Sequence, residues 1–197
     1  MLKEILEKNL DVIIVGTTVA ETSDELGFYY LGPNNRLWSL LEYSGITPTP
    51  IFSASERKVL VNAMKDGVLT DMYKQLFFEK KEGAVLKHRI GFTDLNRRTV
   101  VSNDDDPAAE PTSDDMQKFI KKVEKYKPKI LAFTTGMDIF EKCLKPFYAT
   151  VTRQRGKQDF MIAGSEVWLL GSTSGRVKDT DALEQVFEDL GERLKSM

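Results

Sequence analysis

Three short runs, residues 12–15, 130–133 and 167–170, are apolar at every position and are each followed by glycine or another small residue. A strand with one wet face alternates, whereas a strand covered on both faces does not. Unbroken runs of this length therefore mark the interior of a parallel sheet with helices on either side. "HRIGFTDL", residues 88–95, reads as a fourth strand. Helical spacing lies between and after the runs. Met116, Phe119, Ile120, Val123 and Tyr126 recur at i, i+3, i+4, as do Leu183, Val186, Phe187, Leu190 and Leu194. Thr112 or Ser113 caps the first of these helices, and Lys127-Pro128 ends it. Residues 53–79 also read as helical, with a break near Gly67. The fold class is α/β: a three-layer α/β/α sandwich around a central four-stranded, mainly parallel sheet. At 197 residues and 41% hydrophobic content, one domain spanning residues 1–197 is expected.

Composition removes several function classes. Net charge is -2, so no overall basic field advertises a polyanion, although a local patch at Arg153, Arg155 and Lys157 is available. The single Cys143 allows neither an internal disulfide nor a cysteine-based zinc or iron-sulfur site, which fits a reducing compartment. No 18-residue apolar run or signal-peptide pattern is present, and "MLKEILEKNL" is short and amphipathic, so a soluble cytoplasmic protein without a membrane partner is expected. The acidic, two-proline stretch at residues 102–115 reads as a solvated loop rather than a cation site.

Ligands of open α/β sheets sit beyond the carboxyl ends of the strands, which selects the segments after Val15, Phe92, Phe133 and Leu170. Three of these combine small residues with polar or basic ones: "GTTVAETSDELGFYY", "TDLNRR" and "GSTSGRVKD". They are expected to meet in one cleft. "GTT" is neither a P-loop nor a dinucleotide fingerprint, because the lysine and the glycine spacing are missing. Tyr29 and Tyr30 are either core aromatics or a surface for stacking a base. "GSTSGRVKD" either lets backbone amides, Arg176 and Lys178 approach phosphates or simply precedes the last helix, with Asp179 or Thr180 as its cap. The only histidine, His88, lies at a strand start and reads as structural, which leaves histidine-dependent triads without a base. Asp94, just past a strand end, can orient water and stabilise developing positive charge, or can merely cap a turn.

Taken together, these segments resemble the uracil-DNA glycosylase superfamily, and its mismatch-specific branch, which includes the thymine-DNA glycosylases, most closely. Gly16 matches the opening glycine of that branch's first loop, and Gly32-Pro33-Asn34-Asn35-Arg36-Leu37-Trp38 matches its closing His-Pro-x-Asn-Arg-Phe-Trp motif. "RIGFTDLNRR" resembles its Arg-x-Gly-x-Thr segment, and "GKQDFMIAGSEVWLLGSTSG" the long strand leading into its Asn-Pro-Ser-Gly loop. The resemblance implies a monomeric enzyme, nucleoid-associated if bacterial, that takes double-stranded DNA with a damaged or mismatched base as its partner. Such an enzyme flips out a deaminated base, uracil first, and hydrolyses its N-glycosidic bond in base-excision repair without metal or cofactor.

The same resemblance implies site residues. Gly16 and Thr17 would line the base pocket, Tyr30 would take the stacking position, and Ser172 would replace the last loop's asparagine. Ser174, Gly175, Arg176, Val177 and Lys178 match the loop that wedges into the duplex and grips phosphates. Thr18 stands where the branch places its water-positioning asparagine. Three possibilities then stay open for catalysis: Asp94 directs the water, or Asn35 does so as in the hypoxanthine-DNA glycosylase branch, or the chain is a weak or silent DNA-binding relative.

Overall fold

In the computed structural model, residues 1–32, 34–47, 88–102 and 106–197 are described. The helical reading of residues 53–79 lies outside them, as do Pro33 and the centre of the acidic stretch, residues 103–105. The strands are β1 (Val12–Ala20), β2 (Ile90–Val101), β3 (Ile130–Phe133), β4 (Gly156–Ile162) and β5 (Ser165–Leu169), ordered β2-β1-β3-β5-β4 in one sheet. The helices are α1 (Glu21–Leu26), α2 (Leu37–Tyr43), α3 (Ser113–Tyr126), α4 (Met137–Leu144) and α5 (Thr180–Lys195).

The first four strands of that order are mutually parallel, as the unbroken apolar runs predict. The fifth is an addition to the expected four. β4 pairs antiparallel with β5 at the edge, so the expected long strand is a hairpin. Its two-residue turn is Ala163 (φ 49°) and Gly164 (φ 88°), the left-handed pair that suits a tight hairpin. β4 alternates exposed and buried positions, which suits a strand at the sheet's margin.

Side-chain alternation divides the core in two. Val12, Ile14, Ile90, Phe92, Ile130, Ala132 and Trp168 face a layer that includes α2 and α5. Ile13, Val15, Leu131, Phe133, Val167 and Leu169 face α3 and α4 on the other side. The five apolar residues of the last helix pattern, Leu183 to Leu194, are all buried in the first layer. α3 begins with a capping box, in which Thr112 and Asp115 satisfy each other's backbone N–H groups, and ends at Lys127 in a left-handed conformation.

The N-terminal segment does not form a helix along its apolar residues. Ile5 exchanges backbone hydrogen bonds of 3.0 and 2.9 Å with Phe92 and covers the outer edge of β2. Gly91 makes this approach possible, since a Cβ there would lie 2.7 Å from the Ile5 carbonyl oxygen and 2.5 Å from Leu10.

Two irregularities shape the carboxyl end of the sheet. Pairing between β1 and β3 stops at Val15 and Phe133, whereas β1 and β2 stay paired to Ala20 and Val101. The segments expected to loop away after Val15 and Phe92 therefore continue as a two-stranded ribbon, and a crevice opens between that ribbon and the end of β3. Within the ribbon Thr18 faces Asn96 but Val19 faces Val100, so Arg97, Arg98 and Thr99 form a bulge on β2.

The packing makes one energetic expectation. Phe133 is fully buried, with edge-on rings of Phe119 and Phe140 at 5.7 and 5.1 Å. Phe133→Ala should lower the stability measured by urea unfolding by about 3–5 kcal/mol, the transfer and cavity cost of a lost core aromatic.

Candidate active site

The site is built by extending the sheet's apolar rows one step further. Val12 lies opposite Ile90 and Ile130, and Ile14 opposite Phe92 and Ala132. The next row on that face is Gly16, Asp94 and Thr134, where β1 and β3 have parted. Apolar packing gives way here to three residues that carry hydroxyl, carboxylate or no side chain at all.

Gly16 is required by its neighbours. A Cβ at that position would sit 2.3 Å from Asp94 Oδ1 and 2.8 Å from the Tyr30 hydroxyl, closer than real side-chain carbons come. Asp94 thus lays one carboxylate oxygen directly over the backbone of β1. Asp94 is 3% exposed, and burial raises its pKa from the ordinary 3.8 to about 6. Arg97, 3.3 Å from Oδ2, and Lys122 oppose that rise, and Glu4 adds to it. Among the described residues no donor reaches Oδ1.

The two tyrosines separate. Tyr29 is a core residue, 2% exposed and stacked on Phe92 at 5.5 Å, with its hydroxyl accepting from Arg97 at 3.1 Å. Burial and the nearby Asp94 carboxylate keep its phenol protonated, with a pKa far above the usual tyrosine range. Tyr30 is half-buried at the pocket wall, and its backbone takes φ 59°, a left-handed conformation that a bulky residue holds only under constraint. The constraint is visible. The Tyr30 hydroxyl lies 2.8 Å from Thr134 Oγ1, which donates to the Val15 carbonyl at 3.2 Å, so Tyr30 is the donor of the pair.

Asn35 and Arg36 connect this wall to the last loop. Asn35 Oδ1 accepts from Leu37 N at 2.9 Å, at the start of α2, and from Thr173 Oγ1 at 3.0 Å. With its carbonyl held by two donors, the atom it offers the pocket is the Nδ2 donor. Arg36 donates to the Val177 carbonyl and to Thr180 Oγ1, each at 3.1 Å, and Arg36 N bonds the Thr173 carbonyl at 2.9 Å. Gly175 packs against Asn34, where a Cβ would be 2.7 Å from the carbonyl oxygen. Thr18 is 7% exposed, and its hydroxyl points at the Thr99 carbonyl, 3.4 Å away, across the β2 bulge.

These elements enclose a cleft of about 160 Å³. Sites for drug-sized ligands run roughly 300–1,000 Å³, so this one suits a single planar ring. It gathers Gly16, Thr17, Thr18 and Asp94 from the ribbon, Tyr30 and Asn35 from the first loop, and Ser172 and Ser174 from the last. The three segments selected in the sequence do meet. Gly175, Arg176, Val177 and Lys178 lie outside the lining; Gly175, Arg176 and Lys178 are exposed at its rim, and Val177 is half-buried. Thr134 and Leu2, which the sequence reading does not include, also line the cleft, and Arg36 and Arg97 support it. His88 is not among the lining residues. The Arg153, Arg155 and Lys157 patch is neutralised by carboxylates: Arg153 contacts Asp138 and Glu141, Arg155 pairs with Asp179 at 3.0 Å, and Lys157 with Glu166 at 3.3 Å.

A buried acid over a glycine thus lies at the crevice of a sheet of order 2-1-3-5-4, beside an Asn-Arg step and a serine-glycine loop. The sequence model of the uracil DNA glycosylase superfamily matches residues 4–191, and the chain belongs to that superfamily. Membership supports a DNA glycosylase role with DNA as substrate, and with it a part in DNA repair. Among the described residues no helix is long and apolar enough to cross a membrane.

Asp94 also bears on stability. Its carboxyl is harder to ionise folded than unfolded, so its contribution is fully present below pH 3.8 and is lost as pH rises through about 6. Asp94→Asn should therefore stabilise the protein at pH 7.5 by up to about 3 kcal/mol. Thermal unfolding should show that gain vanish near pH 4, where the native carboxyl is already neutral.

Proposed function

We propose that the chain is a monofunctional DNA glycosylase that hydrolyses the N-glycosidic bond of a flipped-out deaminated base, uracil first, with Asp94 as the residue that directs the attacking water. The observation that carries this reading is the placement of Asp94: a nearly dry carboxylate, fixed by Arg97 through one oxygen, with the other lying over Gly16 on the pocket floor.

The chemistry asks for little more. As the base leaves, positive charge develops on the sugar and negative charge on the base. A carboxylate beside the sugar stabilises the first and takes a proton from the water as its oxygen bonds to the anomeric carbon. The Asn35 amide and backbone N–H groups of the first loop are donors for the second. Tyr30 supplies a ring surface beside the departing base. The wedge residues Arg176, Val177 and Lys178 would occupy the vacated stack and contact phosphates, with the Arg36 bonds fixing where their loop leaves the protein. Asn35 and Thr18 take supporting parts in this scheme, because the Asn35 carbonyl caps α2 and the Thr18 hydroxyl addresses the bulge.

Alkali cleavage of duplexes carrying uracil, hypoxanthine, xanthine or mismatched thymine tests the reading. Strand scission is expected with uracil, and greater scission with hypoxanthine would move the assignment to that branch. Scission with none of them, together with salt-sensitive DNA binding, would establish the silent-binder alternative. Asp94→Asn should reduce single-turnover base release by about 10²-fold or more, and Thr18→Ala by much less; the reverse ranking defeats the assignment. The wild-type rate should fall about tenfold per unit below pH 6, as Asp94 takes up a proton, and level off above it. Gly16→Ala should remain folded, since only side-chain ends need to move, yet lose activity because those ends are Asp94 and Tyr30.

A further inference from the structure

We propose that Arg97 is a positioning residue for Asp94: the β2 bulge turns it onto the pocket side of the sheet, where it holds one carboxylate oxygen and leaves the other to receive the water. The inference deepens the glycosylase reading and rests on it for the identity of the water.

Alternation along a strand is the starting point. Residues three apart in a regular strand point to opposite faces, so Arg97 should point away from Asp94. The bulge of Arg97, Arg98 and Thr99 cancels that parity, because three residues of β2 are inserted where β1 takes one step from Thr18 to Val19. The insertion is held by its own contacts. Asn96, fully buried, accepts from Arg98 N at 2.9 Å through Oδ1 and donates through Nδ2 to the Ala108 carbonyl at 2.8 Å. Arg98 leaves on the opposite side, with Nε 3.0 and 2.9 Å from the two Asp115 oxygens at the start of α3. Two adjacent arginines thus diverge, one to a helix cap and one to the pocket.

On the pocket side the Arg97 guanidinium has three partners. Nη1 donates to the Tyr29 hydroxyl at 3.1 Å and to Asp94 Oδ2 at 3.3 Å, and Nη2 donates to the Leu2 carbonyl. A planar fork fixed at two outer points presents its charge to the carboxylate in one orientation, which a lysine ammonium on a flexible stem does not do. With Oδ2 engaged, the carboxylate is oriented about its own axis and Oδ1 is left over Gly16. The same contact offsets part of the cost of holding an anion in a dry site.

Other charges face Asp94 and must be counted. Glu4, from the N-terminal segment, opposes its ionisation, and Lys122, from α3, favours it; these two contact each other on the far side of β2, where Lys122 also reaches Thr93 Oγ1 at 3.1 Å. Tyr29 and Tyr30, after α1, present hydroxyls. Arg97 is the one cation bonded to the carboxylate itself among the described residues.

The test compares the wild type with Arg97→Gln and Arg97→Lys by carboxyl-carbon NMR titration of Asp94 and by the pH dependence of single-turnover base release. Loss of a contacting cation should raise the Asp94 midpoint in Arg97→Gln by about one unit or more. The acid limb of the rate should move by the same amount, while half-saturation by DNA changes far less than the rate. Arg97→Lys should fall between the two. An unmoved midpoint and acid limb in a folded Arg97→Gln overturns the proposal; if that variant does not fold, Arg97→Lys decides it, and wild-type values in both readouts overturn it. Absence of base release from the wild type defeats the glycosylase reading, and the NMR midpoint then judges Arg97 alone.

Discussion

The contact of the Asp94 carboxylate with the bare backbone at Gly16 is what the rest of the site is arranged around. It exists because β1 and β2 run in register, so the third row of one sheet face brings these two residues opposite each other. Any side chain at position 16 would take the carboxylate's place. An ionised acid in so dry a position is costly, and the costs are met nearby: a guanidinium on one oxygen, and a crevice that keeps the other accessible. The carboxylate proposed to direct the water is therefore part of the sheet, as rigid as the strands that carry it, whereas the loops carry the residues proposed to touch DNA. That division suits an enzyme whose acid must be aimed more accurately than its wedge.

Much of the fold is legible in the sequence because the strongest signals are the simplest physical ones. Unbroken apolar runs give the parallel strands, helical spacing gives α3 and α5, and Thr112 gives a cap. The departures have a common cause. Polar residues after Val15 and Phe92 read as the ends of strands, yet backbone pairing does not require apolar side chains, and both strands continue as a ribbon. The hairpin at Ala163-Gly164 lies inside a stretch that reads as one strand, because alanine with a positive φ gives no compositional sign.

At the site, the three clustering segments and Asp94 can be picked out from the rule that ligands sit beyond strand ends. Thr134 is reachable from the same rule, since it directly follows the Ile130–Phe133 strand. Arg97 is not, because its orientation depends on a bulge held by Asn96 and the Ala108 carbonyl, a contact between residues twelve apart. Likewise Thr18, placed by motif at the water, turns its hydroxyl to Thr99, and only the register of the ribbon reveals why.

Arg36 and Asn35 carry a consequence for how such a protein can diversify. Between them they fasten Thr173, Val177 and Thr180, the roots of the last loop, while Gly175, Arg176 and Lys178 stand exposed between those roots. A replacement at Arg176 or Lys178 would alter what is presented outward without loosening the pocket wall, whereas one at a root, or at Gly175 against the Asn34 backbone, would disturb both. On the proposed glycosylase reading, preference for the strand context around a lesion and preference for the lesion itself would lie in separate sets of residues, so that one could drift while the other is preserved.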